Sequence, residues 1–323
     1  MQLRTLGSTD ITISPLGLGC WQFSGGKGLI GGFWQALEPE TVRSIVAASL
    51  EGGINWFDTA EAYGWGESEI ALSQALRSLE VDPEDIYIAT KWFPVFRRAA
   101  SIRATFPERE SCLRPYPITL HQIHNPLSLS SVESQIHAMA DLVEEGRLRA
   151  IGVSNFSAKA MDRAARVAEQ RGVPLVSNQV RYSLLYRKVE SNGVLSAAKD
   201  HGITLIAYSP LEQGILTGKF HDQPDLIRSR VGPRKFLRWF KPKGLEQSRP
   251  LIDLLREIAQ KYEVAPEQVA LNWLIHFSGE TVVAIPGASK ARHAESNVRA
   301  LSFTLNEDEL ARIDQCSREV LNG

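Results

Sequence analysis

The chain has 323 residues, is 43% hydrophobic and 23% charged, and carries a formal net charge of -1. This is the composition of a globular fold with ample core, and near-neutrality gives no basis for nucleic-acid or membrane-surface binding. Three widely spaced cysteines, Cys20, Cys112 and Cys316, fit neither a disulfide framework nor a zinc pattern. No stretch is apolar enough to span a bilayer and the opening residues lack an apolar signal core, so the expected compartment is the cytoplasm.

In chain order, residues 2–6 and 11–14 predict a hairpin around a Gly-Ser-Thr-Asp turn. Eight short β-branched runs follow, at 16–20, 54–58, 86–91, 118–124, 150–153, 176–180, 204–208 and 281–285. Amphipathic segments lie among them. Residues 38–51 place Val42, Ile45, Val46 and Leu50 on one face and stop at Gly52-Gly53. Segments 67–78, 131–145, 157–170 and 189–200 read as helices. So do 248–261, 266–277 and a C-terminal extra helix over 307–320. Strands alternating with helices imply parallel βα units. Eight units favour a single closed α/β (β/α)8 TIM barrel over 1–323, with an N-terminal hairpin. An open dinucleotide sheet is rejected, because Gly17-Leu18-Gly19 lacks a third glycine and a following helix.

A barrel keeps its chemistry at the C-terminal ends of its strands. Those ends carry Asp58, Lys91 and His124, and Tyr63 sits five residues past Asp58. A cation beside a tyrosine favours the phenolate, so Lys91 is expected to lower the Tyr63 pKa and make it a better proton donor. Buried Lys91 needs an anion, which Asp58 supplies. His124 can orient a substrate oxygen. The set suits protonation of a carbonyl oxygen while hydride arrives from elsewhere. It contains no activated serine or cysteine and no metal cage. Any one of these residues alone reads as readily as packing or a satisfied ion pair; four at successive strand ends read as a site.

Asp58-Thr59-Ala60-x-x-Tyr63-Gly64 with Ser68-Glu69, then Lys91, then Ile123-His124-x-Pro126, resembles the aldo-keto reductase family. So do Ile151-Gly152-Val153-Ser154-Asn155-Phe156, Asn178-Gln179, Ala207-Tyr208-Ser209-Pro210-Leu211 and Ile285-Pro286-Gly287-Ala288-Ser289. The likeness runs through the whole chain, on the bacterial, plant and potassium-channel-β-like side of the family. It implies NADPH-dependent carbonyl reduction with Asp58, Tyr63, Lys91 and His124 as the catalytic tetrad. It also implies Ser154, Asn155 and Gln179 on the nicotinamide carboxamide, and Tyr208 stacked on its ring. Ser209, Leu211, Gly214 and Lys219 would line the pyrophosphate. Ser289 and Lys290, ahead of a helix starting near Ala291, would take the 2′-phosphate that separates NADP(H) from NADH. His293 and Asn297 complete the implied cofactor set, with Asn297 on the adenine. Two positions depart from the family: His293 stands where relatives often have Gln or Arg, and Ser296 where they usually have an acid. The retained His124 favours carbonyl over alkene reduction.

Residues 226–245 hold seven cations and no acid, interleaved with Phe236, Trp239 and Phe240. They read as a lid on the cofactor face with a solvated fringe, in preference to plain surface or a nucleic-acid or membrane patch. Arg228, Arg230 and Arg292 are alternative phosphate contacts. Trp21, Trp65, Trp92 and Phe93 are expected to wall a substrate pocket suited to apolar or ring-bearing small-molecule carbonyl compounds. The first loop adds Phe23, Phe33 and Trp34, while Trp56 and Phe57 read as barrel packing. Two rival readings are a nicotinamide-binding regulatory protein with slow turnover and a Schiff-base lyase using Lys91. Oligomeric state is not legible.

Overall fold

The computed structural model describes residues 2–28, 32–228 and 233–323. Eight parallel strands carry the fold: β3 (Leu18–Gly19), β4 (Trp56–Asp58), β5 (Tyr87–Trp92), β6 (Ile118–Ile123), β7 (Ala150–Ser154), β8 (Leu175–Arg181), β9 (Thr204–Tyr208) and β10 (Val282–Ala284). They pair in sequence order, and the sheet closes on itself. Isolated bridges join Leu16 to Ala284 and Gly19 to Gly287, and the Gly17 amide donates to the Ala284 carbonyl at 2.8 Å. A Cβ on Gly19 would lie 2.8 Å from the Ile285 carbonyl oxygen, so the seam requires a residue without a side chain.

Strand alternation then sorts the side chains. Phe57, Ile88, Ile123, Ile151, Leu175, Leu205 and Val282 face outward into the large core shared with the surrounding helices. Their neighbours Trp56, Ala89, Leu120, Ala150, Val176, Ile206 and Val283 form a separate cluster inside the barrel. Two residues further along, on the same inner face, come Asp58, Lys91, Gln122 and Tyr208. The lower barrel is therefore apolar and its upper layer polar, by parity alone.

The helices outside are α1 (Pro39–Glu51), α2 (Glu67–Ser78), α3 (Ala100–Leu113), α4 (Val132–Glu144), α5 (Ala158–Gln170), α6 (Lys188–Ser191), α7 (Val194–Asp200), α8 (Lys219–Asp222), α9 (Pro242–Tyr262), α10 (Pro266–His276), α11 (Ala291–Arg299) and the C-terminal α12 (Glu307–Asn322). Ser131 and Ser157 cap α4 and α5, their hydroxyls accepting from the amides of Ser134 and Ala160. The hairpin, β1 (Arg4–Thr5) with β2 (Thr12–Ile13), plugs the barrel's lower end. Leu6, Ile11 and Ile13 join the inner cluster, and the Arg4 guanidinium donates to the carbonyls of Val282 and Ile275.

Four helical segments differ from the sequence reading, one of them the single turn α8, which was not expected. Helix α3 was not expected; Pro107 lies inside it and its apolar residues form no strong face. The helix expected over 189–200 is two, parted at Asn192-Gly193, where Gly193 takes φ +82°. Helix α9 starts six residues before the expected 248, with Pro242 in its first turn.

Candidate active site

Asp58, the last residue of β4, is 1% exposed and saturated with donors. Its Oδ1 accepts from Lys91 Nζ at 2.5 Å, and its Oδ2 from Gln179 Nε2 at 2.8 Å and Gln122 Nε2 at 3.2 Å. Lys91 is fully buried and also donates to the Thr59 carbonyl at 2.8 Å. Burial pushes its ammonium down in pKa while Asp58 pulls it back up. The Tyr63 hydroxyl lies 3.5 Å from Lys91 Nζ. His124, one residue beyond β6, faces the Tyr63 ring edge-on at 5.6 Å between centroids. Its backbone amide is fixed by the Trp92 carbonyl. The structure thus brings the four sequence-predicted catalytic residues together.

The electrostatics differ from expectation at Tyr63. Its pKa is raised well above 10, by burial first and by the Asp58 carboxylate second. Burial and this carboxylate outweigh the neighbouring Lys91 ammonium, which is itself paired with Asp58 at 2.5 Å. The resting phenol is therefore held protonated. Burial, and then Lys91, pushes His124 down to about 3, so its ring is neutral near pH 7. Its Nδ1 has no partner among the described residues.

A second layer holds the loop that presents Tyr63. Glu61 pairs with Arg97. Glu69 on α2 accepts from Thr90 Oγ1 at 2.5 Å and from Arg109 of α3 at 2.6 Å. Burial raises Glu69 to about 7. Gly64 takes φ +72°, and a Cβ there would lie 2.3 Å from the Ser24 carbonyl oxygen, so only glycine lets this turn pack.

One cavity runs from this centre across the barrel mouth, and Trp21, Asp58, Tyr63 and His124 line it. Of the expected cofactor residues, Ser154, Asn155, Gln179, Tyr208, Ser209, Leu211, Gly214, Lys219, Ser289, His293 and Asn297 line it too. Tyr208 Oη donates to Asn155 Oδ1 at 3.0 Å, and Asn155 Nδ2 to Ser154 Oγ at 3.0 Å. In the loop after β9, Ser209 (φ +51°), Gln213 (φ +57°) and Gly214 (φ +93°) turn through left-handed backbone. His293 Nδ1 lies 3.3 Å from Ser289 Oγ. Burial lowers the His293 pKa, and Lys219, Arg292 and Lys290 lower it further, which marks a locally positive surface.

Other expected positions fall elsewhere. Lys290 is exposed at the N-cap of α11 and Arg292 is exposed beside it, both outside the lining. Arg228 is 89% exposed and paired with Asp225, and Arg230 lies outside the described residues. None of the described residues in 226–245 lines the cavity. Trp239 and Phe240 are buried there, Phe240 against Phe220, and Phe236 is exposed. Trp92 is a correction: it is fully buried in the outer core, with Nε1 donating to Ser101 Oγ at 3.0 Å. Lys91 points inward, so its neighbour must point outward. Trp21 stacks on Tyr63 at 6.1 Å, Phe93 meets His124 at 5.9 Å, and Trp65 meets Phe93 at 6.1 Å. Of these three, Trp21 lines the cavity, while Phe93 and Trp65 lie outside its lining, behind His124. Gln122 was missed as the third donor to Asp58, although its place two residues before His124 on the same face was a signal.

Over residues 15–318 the chain matches the model of the aldo/keto reductase family. The chain belongs to this family. It is 36% identical to an uncharacterized oxidoreductase of Mycobacterium tuberculosis, over 96% of this chain and 92% of that one. It is 33% identical to the chloroplastic pyridoxal reductase of Arabidopsis thaliana, over 96% and 84%. Among solved structures, the glycerol dehydrogenase of Gluconobacter oxydans superposes with a TM-score of 0.83 at 27% identity, over 99% of this aldo/keto reductase and 97% of that chain. Among the described residues of this oxidoreductase, no helix is long and apolar enough to cross a membrane.

Proposed function

We propose that this aldo/keto reductase converts an aldehyde or ketone to the alcohol, with NADPH as hydride donor. The observation that carries the reading is a phenol and an imidazole, Tyr63 and His124, facing one cavity beside the Lys91–Asp58 pair. NADPH bound in that cavity supplies the hydride for the carbonyl carbon. Tyr63 gives its proton to the carbonyl oxygen, and His124 orients that oxygen against the phenol. As negative charge grows on the Tyr63 oxygen, the Lys91 ammonium 3.5 Å away is already in place to stabilise it. Asp58, held by three donors, keeps Lys91 charged in a dry site.

The residues suit the cofactor. Ser154, Asn155 and Gln179 offer amide and hydroxyl groups to a carboxamide, and Gly214 lets backbone approach a phosphate beside Lys219. Ser289 and His293, among the cations that depress His293, support NADPH over NADH. Trp21 and Trp34, packed edge to face on the cavity wall, support apolar or ring-bearing substrates. Lys91 is poorly placed for Schiff-base chemistry, being fully buried and pinned by Asp58 and Thr59.

The test follows nicotinamide absorbance with 4-nitrobenzaldehyde, using NADPH and NADH separately. Wild-type protein is expected to turn over with NADPH in preference. Tyr63→Phe should lose roughly 10²–10⁴-fold in kcat while still binding NADPH. Full turnover by Tyr63→Phe would place the acid elsewhere, and equal or better rates with NADH would remove the phosphate argument.

A further inference from the structure

Among the described residues only two carboxylates line the cavity, Asp58 and Glu267. Asp58 is consumed by Lys91, Gln122 and Gln179. Glu267 is different. It sits in the first turn of α10, half-buried, where the side chains of α11 come across to meet it. Ser296 Oγ donates to Glu267 Oε1 at 2.9 Å and itself accepts from Gln268 Nε2 at 2.9 Å. Gln268 is fixed in turn, its Oε1 taking the Ala265 amide at 3.0 Å. A four-residue relay across two helices therefore sets the carboxylate in one orientation. Its Oε2 has no hydrogen-bond partner among the described residues, and the group lines the cavity.

Next to Ser296, Asn297 is 7% exposed and also lines the cavity. Its side-chain amide has no partner among the described residues. A fixed acceptor beside a free carboxamide is suited to a heterocycle that carries an exocyclic amine next to a ring nitrogen. The carboxylate takes the amine, and the carboxamide pairs with the ring edge, as Asn does with adenine N6 and N7. A carboxylate is the wrong group for a phosphate, and this part of the cavity keeps its phosphate-suited groups, Ser289 and His293, one turn away.

We propose that Glu267, positioned by Ser296, selects the adenine base of the cofactor by accepting its exocyclic amine. This rests on the nicotinamide-dinucleotide reading above and adds a specificity-determining residue to it. Here the acid that Ser296 lacks is supplied from another helix.

The experiment is a binding titration that needs no turnover. Quenching of tryptophan fluorescence, with Trp21 and Trp34 on the cavity wall, reads the affinity of NADPH and of its hypoxanthine analogue. In that analogue a carbonyl oxygen replaces the amine. Wild-type protein should prefer the adenine form by about tenfold or more, since a fixed acceptor facing an acceptor loses a charged hydrogen bond. Glu267→Gln, whose amide can donate to the carbonyl, should bring the two ligands within about threefold. Ser296→Ala should reduce the preference partway. Each ratio is taken on one protein preparation, so a partly destabilised variant still gives a valid result. An unchanged ratio in Glu267→Gln overturns the proposal. So does a variant whose change falls on NADPH against NADH, because the carboxylate would then face the ribose. Wild-type protein that binds neither dinucleotide overturns the cofactor reading itself, and this proposal with it.

Discussion

At Tyr63 two influences oppose each other. Burial and Asp58 hold the phenol protonated, while Lys91, 3.5 Å away, waits for a charge that exists only during proton transfer. The sequence reading expected these four groups at one barrel mouth, where the structure brings them together, and expected Lys91 to lower the Tyr63 pKa, whereas burial and Asp58 raise it. The Lys91–Asp58 pair is visible in the motif; how deeply the Tyr63 phenol is buried, the first cause of its raised pKa, is not. The consequence for pH is specific. Tyr63 acts as an acid while protonated, so its activity persists at every pH below its raised pKa. His124 acts as the neutral ring, so it is competent at every pH above about 3. Between pH 6 and 9 the two groups keep one protonation state, and kcat/KM for carbonyl reduction should be flat. A fall of tenfold or more with a midpoint inside that window would mean that one of them titrates there, or that Glu69 behind the Tyr63 loop, raised to about 7, controls the site; Glu69→Gln separates the two by removing only the latter fall. Trp92 fails as a pocket residue for a local reason that the sequence did contain. It follows an inward lysine on one strand and so must face the helices.

Among the elements, strands were the most legible, because parity constrains them twice: one residue for the outer core, the next for the barrel interior. Helix α3 was the least legible, since Pro107 interrupts its pattern and its most consequential side chain, Arg109, is a buried cation serving Glu69. A buried ion pair leaves no hydrophobic period to detect. The splitting of the 189–200 segment was signalled by Asn192-Gly193, a turn dipeptide inside an otherwise helical run. The hairpin belongs to stability and not to chemistry, as it packs at the end of the barrel opposite the tetrad. Ile11 is 1% exposed within the inner cluster. Ile11→Ala should lower unfolding free energy by about 2–4 kcal/mol in urea titrations and leave kcat within about twofold. A large loss of kcat at unchanged stability would mean that the hairpin is coupled to the mouth.

For the whole molecule, barrel order and the position of the cavity were readable from strand count and strand ends, because this architecture fixes where loops of one type gather. The cross-helix relay from Gln268 through Ser296 to Glu267 was not, since it depends on how two helices distant in sequence pack side by side. The seam of the barrel has a further consequence, in the order of synthesis. Arg4 bonds the carbonyl of Val282 across 278 residues, and Leu16 and Gly19 bridge to Ala284 and Gly287. The first strand made is thus completed by the last, so a nascent chain cannot close its barrel until nearly all of it has left the ribosome. Stalled chains ending before residue 282 should be cut by protease within the hairpin, whereas the released protein resists. Equal resistance in both would show that the first strands find a stable partner before the last one is made.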